Sequence, residues 1–211
     1  MSSAFIITEV ASVYLASKSP RRQELLRQLG VEFEELLVRG SAGRRPDVVE
    51  VPRADESPLD YIKRIARTKA SVGWQQMTRR HLPRRPVLAA DTEVVVDGVV
   101  FGKPADAASA VDMLRRLSGR THEVMTAVAV RWDAQLVRAV SISRVTMRAL
   151  PEDAIERYVA TGECFDKAGG YAVQGRAAAF ISHLEGSYSG VMGLPLYETT
   201  ELLGKIGYHV L

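Results

Sequence analysis

The sequence has one cysteine, Cys164, and four histidines, and each scarcity excludes a class of chemistry. A lone cysteine forms no disulfide within the chain and supports no cysteine-based metal cluster. The histidines show no spacing typical of metal ligands, and we interpret them as structural or exposed: His81, His122, His183 and His209. Any chemistry must therefore come from carboxylates, hydroxyls, amides and cations.

Long hydrophobic runs are also missing. No stretch approaches the roughly 18 apolar residues of a membrane-spanning helix, so no membrane partner is expected. The segment Met1 to Thr8 lacks a basic region, and Glu9 interrupts the apolar residues that follow, so a signal peptide is not expected. We therefore expect a cytoplasmic location.

The charge balance is nearly even, with a formal net charge of +3 and a pI near 9.1. This mild basic excess suits phosphate-bearing ligands but is too weak to indicate nucleic acid. A hydrophobic fraction of 46% and a charged fraction of 25% are ordinary for a globular protein. We expect a single domain over residues 1–211, with two lobes around a cleft.

The first informative segment predicts a strand, a loop and a helix. Val13 to Ala16 form a short apolar run typical of a buried strand. Ser19 suits an N-cap, and Pro20 suits the first helical position because its missing N–H would have no partner there. Gly30 supplies the stop signal.

Two cations follow at an unfavourable place, since Arg21 and Arg22 fall in the first turn of this helix. The helix dipole is positive there and disfavours each cation by about 0.3–1 kcal/mol. A bound phosphate would reverse that sign, and the hydroxyls of Ser17 and Ser19 could help to hold it. The alternative is two solvated arginines on an exposed turn.

A second helix is predicted to begin after Ser57, with Ser57 and Asp60 placed for a capping interaction. Lys69 lies on its apolar stripe, so its ammonium either extends along its stem to water or points at a phosphate. The residues from Gln75 to Pro86 are predicted to form a polar connector. Its arginines lack interleaved aromatics, so we interpret it as solvated surface and expect no nucleic-acid partner.

Asp91 and Thr92 follow the apolar run Val87 to Ala90, and we expect them at the C-terminal end of a buried strand. Ligands of α/β folds gather at that edge, so an acid there favours function. The dipeptide Asp97-Gly98 between two valine-rich runs predicts a hairpin. Later, three glycines in the segment from Asp166 to Gly175 predict positive φ angles or close backbone approach.

The alternation of strands and helices predicts an α/β protein with a mixed, twisted sheet and flanking helices. Motifs in the order found here resemble those of the Maf family (Maf/Ham1-like nucleoside triphosphate pyrophosphatases) and cover nearly the whole chain. The segments that carry the resemblance are Ser17 to Arg22, Arg67 to Ala70, Ala90 to Thr92 with Gly102 to Pro104, Asp166 to Gly175, and Gly186 to Pro195.

The resemblance implies hydrolysis of a nucleoside triphosphate to the monophosphate and pyrophosphate. In it, Asp91 matches the proton acceptor, and Lys69 and Lys103 match active-site lysines. Glu50 resembles a member of the catalytic acidic group, although Val49 replaces a neighbouring acid and the preceding loop, Gly40 to Pro46, looks longer. A solvated loop carboxylate is the alternative for Glu50.

Residue chemistry fits this reaction, because Arg21, Arg22 and the two lysines can neutralise phosphate oxygens. Glu50 and Asp91 are hard oxygen ligands suited to Mg²⁺ or Mn²⁺, and such an ion lowers the pKa of bound water. The resemblance further implies a homodimer.

Base specificity is a separate question. Arg21, Thr92 and Gln174 match the specificity positions of the branch that acts on dTTP and UTP. The Gln174 amide offers a donor and an acceptor that can pair with N3–H and a carbonyl of uracil or thymine; its alternative role is to hold a glycine turn.

A 7-methyl-GTP pyrophosphatase and a non-enzymatic regulator of cell division remain as alternative functions.

Overall fold

The computed structural model describes residues 12–37 and 47–210. The strands are β1 (Val13–Leu15), β2 (Phe33–Glu35), β3 (Val87–Val96), β4 (Val99–Phe101), β5 (Thr121–Trp132), β6 (Gln135–Met147) and β7 (Ile181–Glu185). The helices are α1 (Pro20–Gln28), α2 (Pro58–Arg79), α3 (Ala107–Leu117), α4 (Glu152–Ala160), α5 (Tyr188–Met192) and α6 (Leu196–Lys205). Two 3₁₀ turns span Ala168–Gly170 and Arg176–Phe180.

The strands form one seven-stranded sheet in the order β2-β1-β3-β5-β6-β7, with β4 paired to β3. The pairs β1–β2 and β1–β3 are parallel and the other pairs are antiparallel, so the sheet is mixed, as predicted. Helix α2 packs on β3 and β5, while α1 and α6 share a core cluster with β1. Helices α3 and α4 cover the far end, where Leu114 and Ile155 are buried.

The polar residues of β3 lie where one edge of the strand is left open in the sheet. On one edge, β3 pairs with β1 as far as Leu88 and with β4 from Val94 onward. Among the described residues no strand pairs with β3 between these points on that edge, whereas β5 pairs along the other edge throughout. Asp91, Thr92 and Glu93 lie at this opening.

The expected position of Asp91 at the end of a strand is therefore wrong. The strand continues to Val96, because the valines after the acids form the first arm of the predicted Asp97-Gly98 hairpin. It is β1 that ends here, at Leu15, and its carboxyl end produces the opening beside Asp91.

The predicted connector from Gln75 to Pro86 is also partly wrong, since α2 continues to Arg79. Gln76 is buried and its Nε2 donates to Asp47 Oδ2 at 2.7 Å, so a polar residue lies on a packed helix face. Met77 is buried on the same helix. None of the helices in the described ranges is long and apolar enough to cross a membrane.

Several boundaries agree with the sequence and a few do not. The predicted cap of α2 is confirmed, since Ser57 Oγ accepts from the Asp60 N–H at 3.1 Å. Ser19 occupies the N-cap position of α1, but its side chain makes no capping hydrogen bond. The strand predicted over Val31 to Val38 is confined to β2 in the described residues, and the loop with Arg44 and Arg45 lies outside them.

Candidate active site

The Arg22 side chain connects three segments at the opening beside β3 by hydrogen bonds. Its Nε donates to the Gly193 carbonyl at 2.8 Å, and its two terminal nitrogens donate to Ser17 Oγ at 3.2 Å and to Thr92 Oγ1 at 3.1 Å. Burial lowers the pKa of Arg22, an effect that the charge of Asp91 opposes. Arg22 was predicted either to hold phosphate or to be solvated; in the structure three of its five N–H groups donate to protein, and the other two have no partner among the described residues.

The hydroxyl groups of Thr92 and Thr126 extend this hydrogen-bond network into the core. Thr126 Oγ1 lies 3.0 Å from Thr92 Oγ1 and 2.7 Å from the Gly190 carbonyl oxygen, to which it donates. Thr126 is fully buried, so its position is fixed by packing. The family resemblance matches Thr92 to a base-specificity position, whereas the structure places its hydroxyl against Arg22.

Lys69 joins two carboxylates on the other face of β3. Its Nζ lies 2.8 Å from Asp91 Oδ1 and 3.1 Å from Glu50 Oε1. The side chains of Lys69 and Asp91 are only 13% and 10% exposed, so Lys69 does not extend to water. The structure thus brings together three of the predicted site residues: Glu50, Lys69 and Asp91.

Glu93 is a site residue that the sequence reading missed. It shares a face of β3 with Asp91, two positions away, and its Oε2 is buried with no hydrogen-bond partner among the described residues. Burial, together with the charges of Asp91 and Glu50, raises the pKa of Glu93 to about 8, although Lys69 and Lys103 oppose the shift. The available signal was the i, i+2 spacing of two acids on one strand.

The raised pKa of Glu93 predicts that stability falls between pH 4.5 and 8. In this window the folded protein keeps a proton that the unfolded chain releases, so rising pH favours unfolding. Glu93→Gln should remove this slope and raise the free energy of unfolding at pH 9 by about 1–3 kcal/mol. Urea unfolding of the metal-free protein at pH 5, 7 and 9 measures it, and equal slopes in variant and wild type would contradict the assignment.

Three further cations, Arg21, Lys103 and Lys167, are linked to the site through their charges. Burial lowers the pKa of Arg21, opposed by the charge of Asp166, while burial and then the charge of Arg21 lower the pKa of Lys167. Within residues 12–37 and 47–210, Arg21 has no hydrogen bond or ion pair. Lys103 is exposed and acts on Glu93 by its charge. Lys167 was not predicted as a site residue, although it lies in the glycine-rich motif.

Gln174 is exposed, and its side chain makes no hydrogen bond in the described part of the chain. Its loop is tied to the segment before α3, since the Gly169 N–H donates to the Gly102 carbonyl at 3.0 Å. The structure therefore connects the loops that carry Gln174 and Lys103.

Gly169 is expected to tolerate no side chain. Its φ of +69° lies in the left-handed region, and an added Cβ would lie 2.9 Å from Val94 Cγ2. Gly169→Ala should lower the free energy of unfolding by about 1–3 kcal/mol. Chemical denaturation tests this against Gly204→Ala, where a Cβ meets nothing within 4 Å; equal stabilities of the two variants would contradict it.

The carboxylates fit a divalent ion bound together with substrate. No group of three or more His, Cys, Asp or Glu side chains in the described ranges is placed to hold a metal alone. Mg²⁺ commonly takes one or two carboxylates and completes its shell with phosphates and water. Glu50 and Asp91, both in contact with Lys69, supply such a pair, and Glu93 lies on the same strand face as Asp91.

Known proteins resemble this chain over nearly its whole length. A dTTP/UTP pyrophosphatase of Aromatoleum aromaticum is 51% identical over 199 residues, covering 94% of this chain and 97% of that protein. Proteins of the same name from Nitrosospira multiformis and Bordetella parapertussis are 53% and 50% identical, covering 90% and 100% of this chain and 92% and 100% of their own lengths. The model of the family described as "Maf-like protein" matches residues 12–206, and the chain belongs to this Maf family.

Proposed function

We propose that this protein is a nucleoside triphosphate pyrophosphatase that hydrolyses dTTP and UTP to the monophosphate and pyrophosphate. The observation that carries the proposal is the position of Lys69 between the carboxylates of Asp91 and Glu50. Arg22 binds Thr92, the next residue after Asp91 on β3. The names of relatives near 50% identity support the same activity and the same substrates.

Substrate binding falls to the cations around the opening. Arg22 has two N–H groups left for phosphate oxygens, and Arg21 and Lys103 have side chains without protein partners in the described residues. Ser17 donates its hydroxyl hydrogen to phosphate while its oxygen accepts from Arg22. These groups neutralise the triphosphate and the negative charge that accumulates on the departing pyrophosphate.

The chemical step is attack by water at the phosphorus that bears the nucleoside. A P–O bond forms to the water oxygen, the P–O bond to pyrophosphate breaks, and Asp91 accepts the proton of the water. Lys69 binds Oδ1 of Asp91, and Oδ2, which has no hydrogen-bond partner among the described residues, is the oxygen assigned to take that proton. The contact with Lys69 fixes the position of the base before the substrate binds.

A divalent ion, Mg²⁺ or Mn²⁺, would be held by Glu50 and Asp91 together with the phosphates. When bound, it supplies positive charge to the phosphates and lowers the pKa of water. The structure's own contribution is the pair of carboxylates fixed by Lys69.

Base selection is assigned to Gln174, aided by Arg21, with Thr92 acting through its hydrogen bond to Arg22. The Gln174 amide can donate to a carbonyl and accept from N3–H of uracil or thymine. Cytosine has a bare N3 and an amino group where uracil has N3–H and a carbonyl, so an amide held in the orientation that suits uracil would lose its partners, at a cost of about 1–3 kcal/mol for each unpaired group. The family resemblance also implies a different residue after Pro20 in the branch that acts on 7-methyl-GTP, where this chain has Arg21.

The test is pyrophosphate release from dTTP, UTP, CTP and 7-methyl-GTP, each with Mg²⁺ or Mn²⁺. We expect kcat/KM for dTTP and UTP to exceed that for the other two at least tenfold. Highest turnover of 7-methyl-GTP would contradict the substrate assignment, and no turnover of any nucleotide would favour a non-enzymatic regulator. Light scattering tests the homodimer.

A further inference from the structure

Glu163 fastens the end of the glycine-rich loop, defined here as Asp166 to Gly175. Its Oε2 accepts the backbone N–H of Arg176 at 3.0 Å, and its Oε1 accepts that of Ala177 at 3.4 Å. The Tyr158 hydroxyl also donates to Oε1 at 3.1 Å. A Cβ on Gly175 would lie 2.3 Å from Glu163 Oε1, so the backbone approaches the carboxylate as closely as only glycine permits.

A buried pair fastens the middle of the same loop. His122 Nε2 and the Tyr171 hydroxyl lie 2.7 Å apart, and the two rings meet edge to face with centroids 5.5 Å apart. The two residues are 3% and 6% exposed. His122 belongs to β5, so this hydrogen bond ties the loop to the sheet.

Gln174 lies between these two attachments. Ala172 and Val173 are buried on one side, and the backbone bound by Glu163 follows on the other. Gln174 itself is exposed and has no partner in the described chain. Its backbone is therefore fixed at both ends while its amide remains available to a ligand.

We propose that Glu163 and the His122–Tyr171 pair are positioning residues that set the base selectivity of the enzyme by fixing Gln174. The inference depends on the proposed function, because it assumes that Gln174 reads the base. Discrimination between N3–H of uracil and the bare N3 of cytosine needs an amide held within a few tenths of an ångström. The groups that act on phosphate lie outside this loop, in α1, α2, β3 and the segments that follow β1 and β4, so turnover should depend much less on this loop.

The first experiment measures kcat and KM for UTP and CTP with Glu163→Ala and Glu163→Gln. For Glu163→Ala we expect the selectivity ratio to fall at least tenfold through a higher KM for UTP, with kcat changed less than threefold. Glu163→Gln should recover part of the ratio, because its amide oxygen can still accept one backbone N–H. An unchanged ratio in Glu163→Ala would overturn the proposal.

The matched control is Thr199→Val. Thr199 is fully buried and its hydroxyl donates to the Pro195 carbonyl at 2.7 Å, so the variant loses a buried hydrogen bond in α6, away from the loop. Its selectivity should equal that of the wild type even where its Tm is lower. Loss of selectivity in this control would show that the ratio follows stability alone, which would overturn the proposal.

The second experiment separates positioning from stability with Tyr171→Phe and the double variant Tyr171→Phe/His122→Phe. The single variant leaves a buried ring nitrogen unpaired and should lower Tm, while removal of both partners should restore much of it. We expect low selectivity in both, whereas recovery of selectivity together with Tm would contradict the proposal. A wild-type enzyme that does not distinguish UTP from CTP would contradict the proposed function first.

Discussion

Asp91→Asn is expected to lower kcat for dTTP and UTP by about a hundredfold to ten-thousandfold, the usual contribution of a positioned general base. The amide cannot accept the proton of the attacking water, yet it keeps the size and the hydrogen-bonding oxygen of the carboxylate. Because the cations that hold the phosphates are unchanged, nucleotide affinity measured without a divalent ion should stay within a few-fold of the wild type. Steady-state turnover assays measure kcat, and calorimetric titration with dTTP measures the nucleotide affinity.

Asp97→Asn is the matched control for this prediction. Asp97 is a residue of the β3–β4 turn whose carboxylate binds Arg120 on the surface, and it should be neutral for turnover. Full activity of Asp91→Asn would reject Asp91 as the proton acceptor. Equal loss of activity in both variants would indicate a general sensitivity of β3 instead of a catalytic role.

Arg22→Met is expected to reduce kcat/KM by about a hundredfold and the free energy of unfolding by about 1–3 kcal/mol. The guanidinium makes three hydrogen bonds that join the loop after β1, the middle of β3 and the segment before α6. The variant therefore loses a group that binds phosphate and also the three hydrogen bonds that connect these segments. Steady-state kinetics and urea denaturation measure the two effects.

Arg27→Met, in the same helix, provides the comparison for Arg22→Met. Arg27 is exposed, contacts Gln23 at 3.4 Å and lies over the ring of Phe33, so its replacement should alter kcat/KM less than twofold. A loss of stability in Arg22→Met without a loss of kcat/KM would leave Arg22 as a purely structural residue.

Local sequence signals predicted much of the fold correctly. The Asp97-Gly98 hairpin and the Ser57 cap depend on interactions between residues close in sequence, and both are present as predicted. The two arginines in the first turn of α1 could be identified from the sequence as candidate phosphate ligands, because their charge opposes the helix dipole there. These features need no knowledge of the rest of the molecule.

The parts that could not be predicted depend on contacts between distant segments. Gly193 lies 171 positions from Arg22, so nothing in the local sequence shows that its carbonyl accepts from the guanidinium. The opening beside β3 results from where β1 ends and β4 begins, and Glu93, whose buried Oε2 has no hydrogen-bond partner within the described segments, lies at that opening. The length of α2 was missed because Gln76 is polar, although its partner Asp47 makes its burial favourable.

Hydrolysis of dTTP in ¹⁸O-labelled water tests most directly the claim that a carboxylate at the opening of β3 directs water to the phosphorus bearing the nucleoside. The account predicts one ¹⁸O atom in each dTMP and none in pyrophosphate, as read by mass spectrometry of both products. Label in pyrophosphate, or release of inorganic phosphate with dTDP, would contradict it.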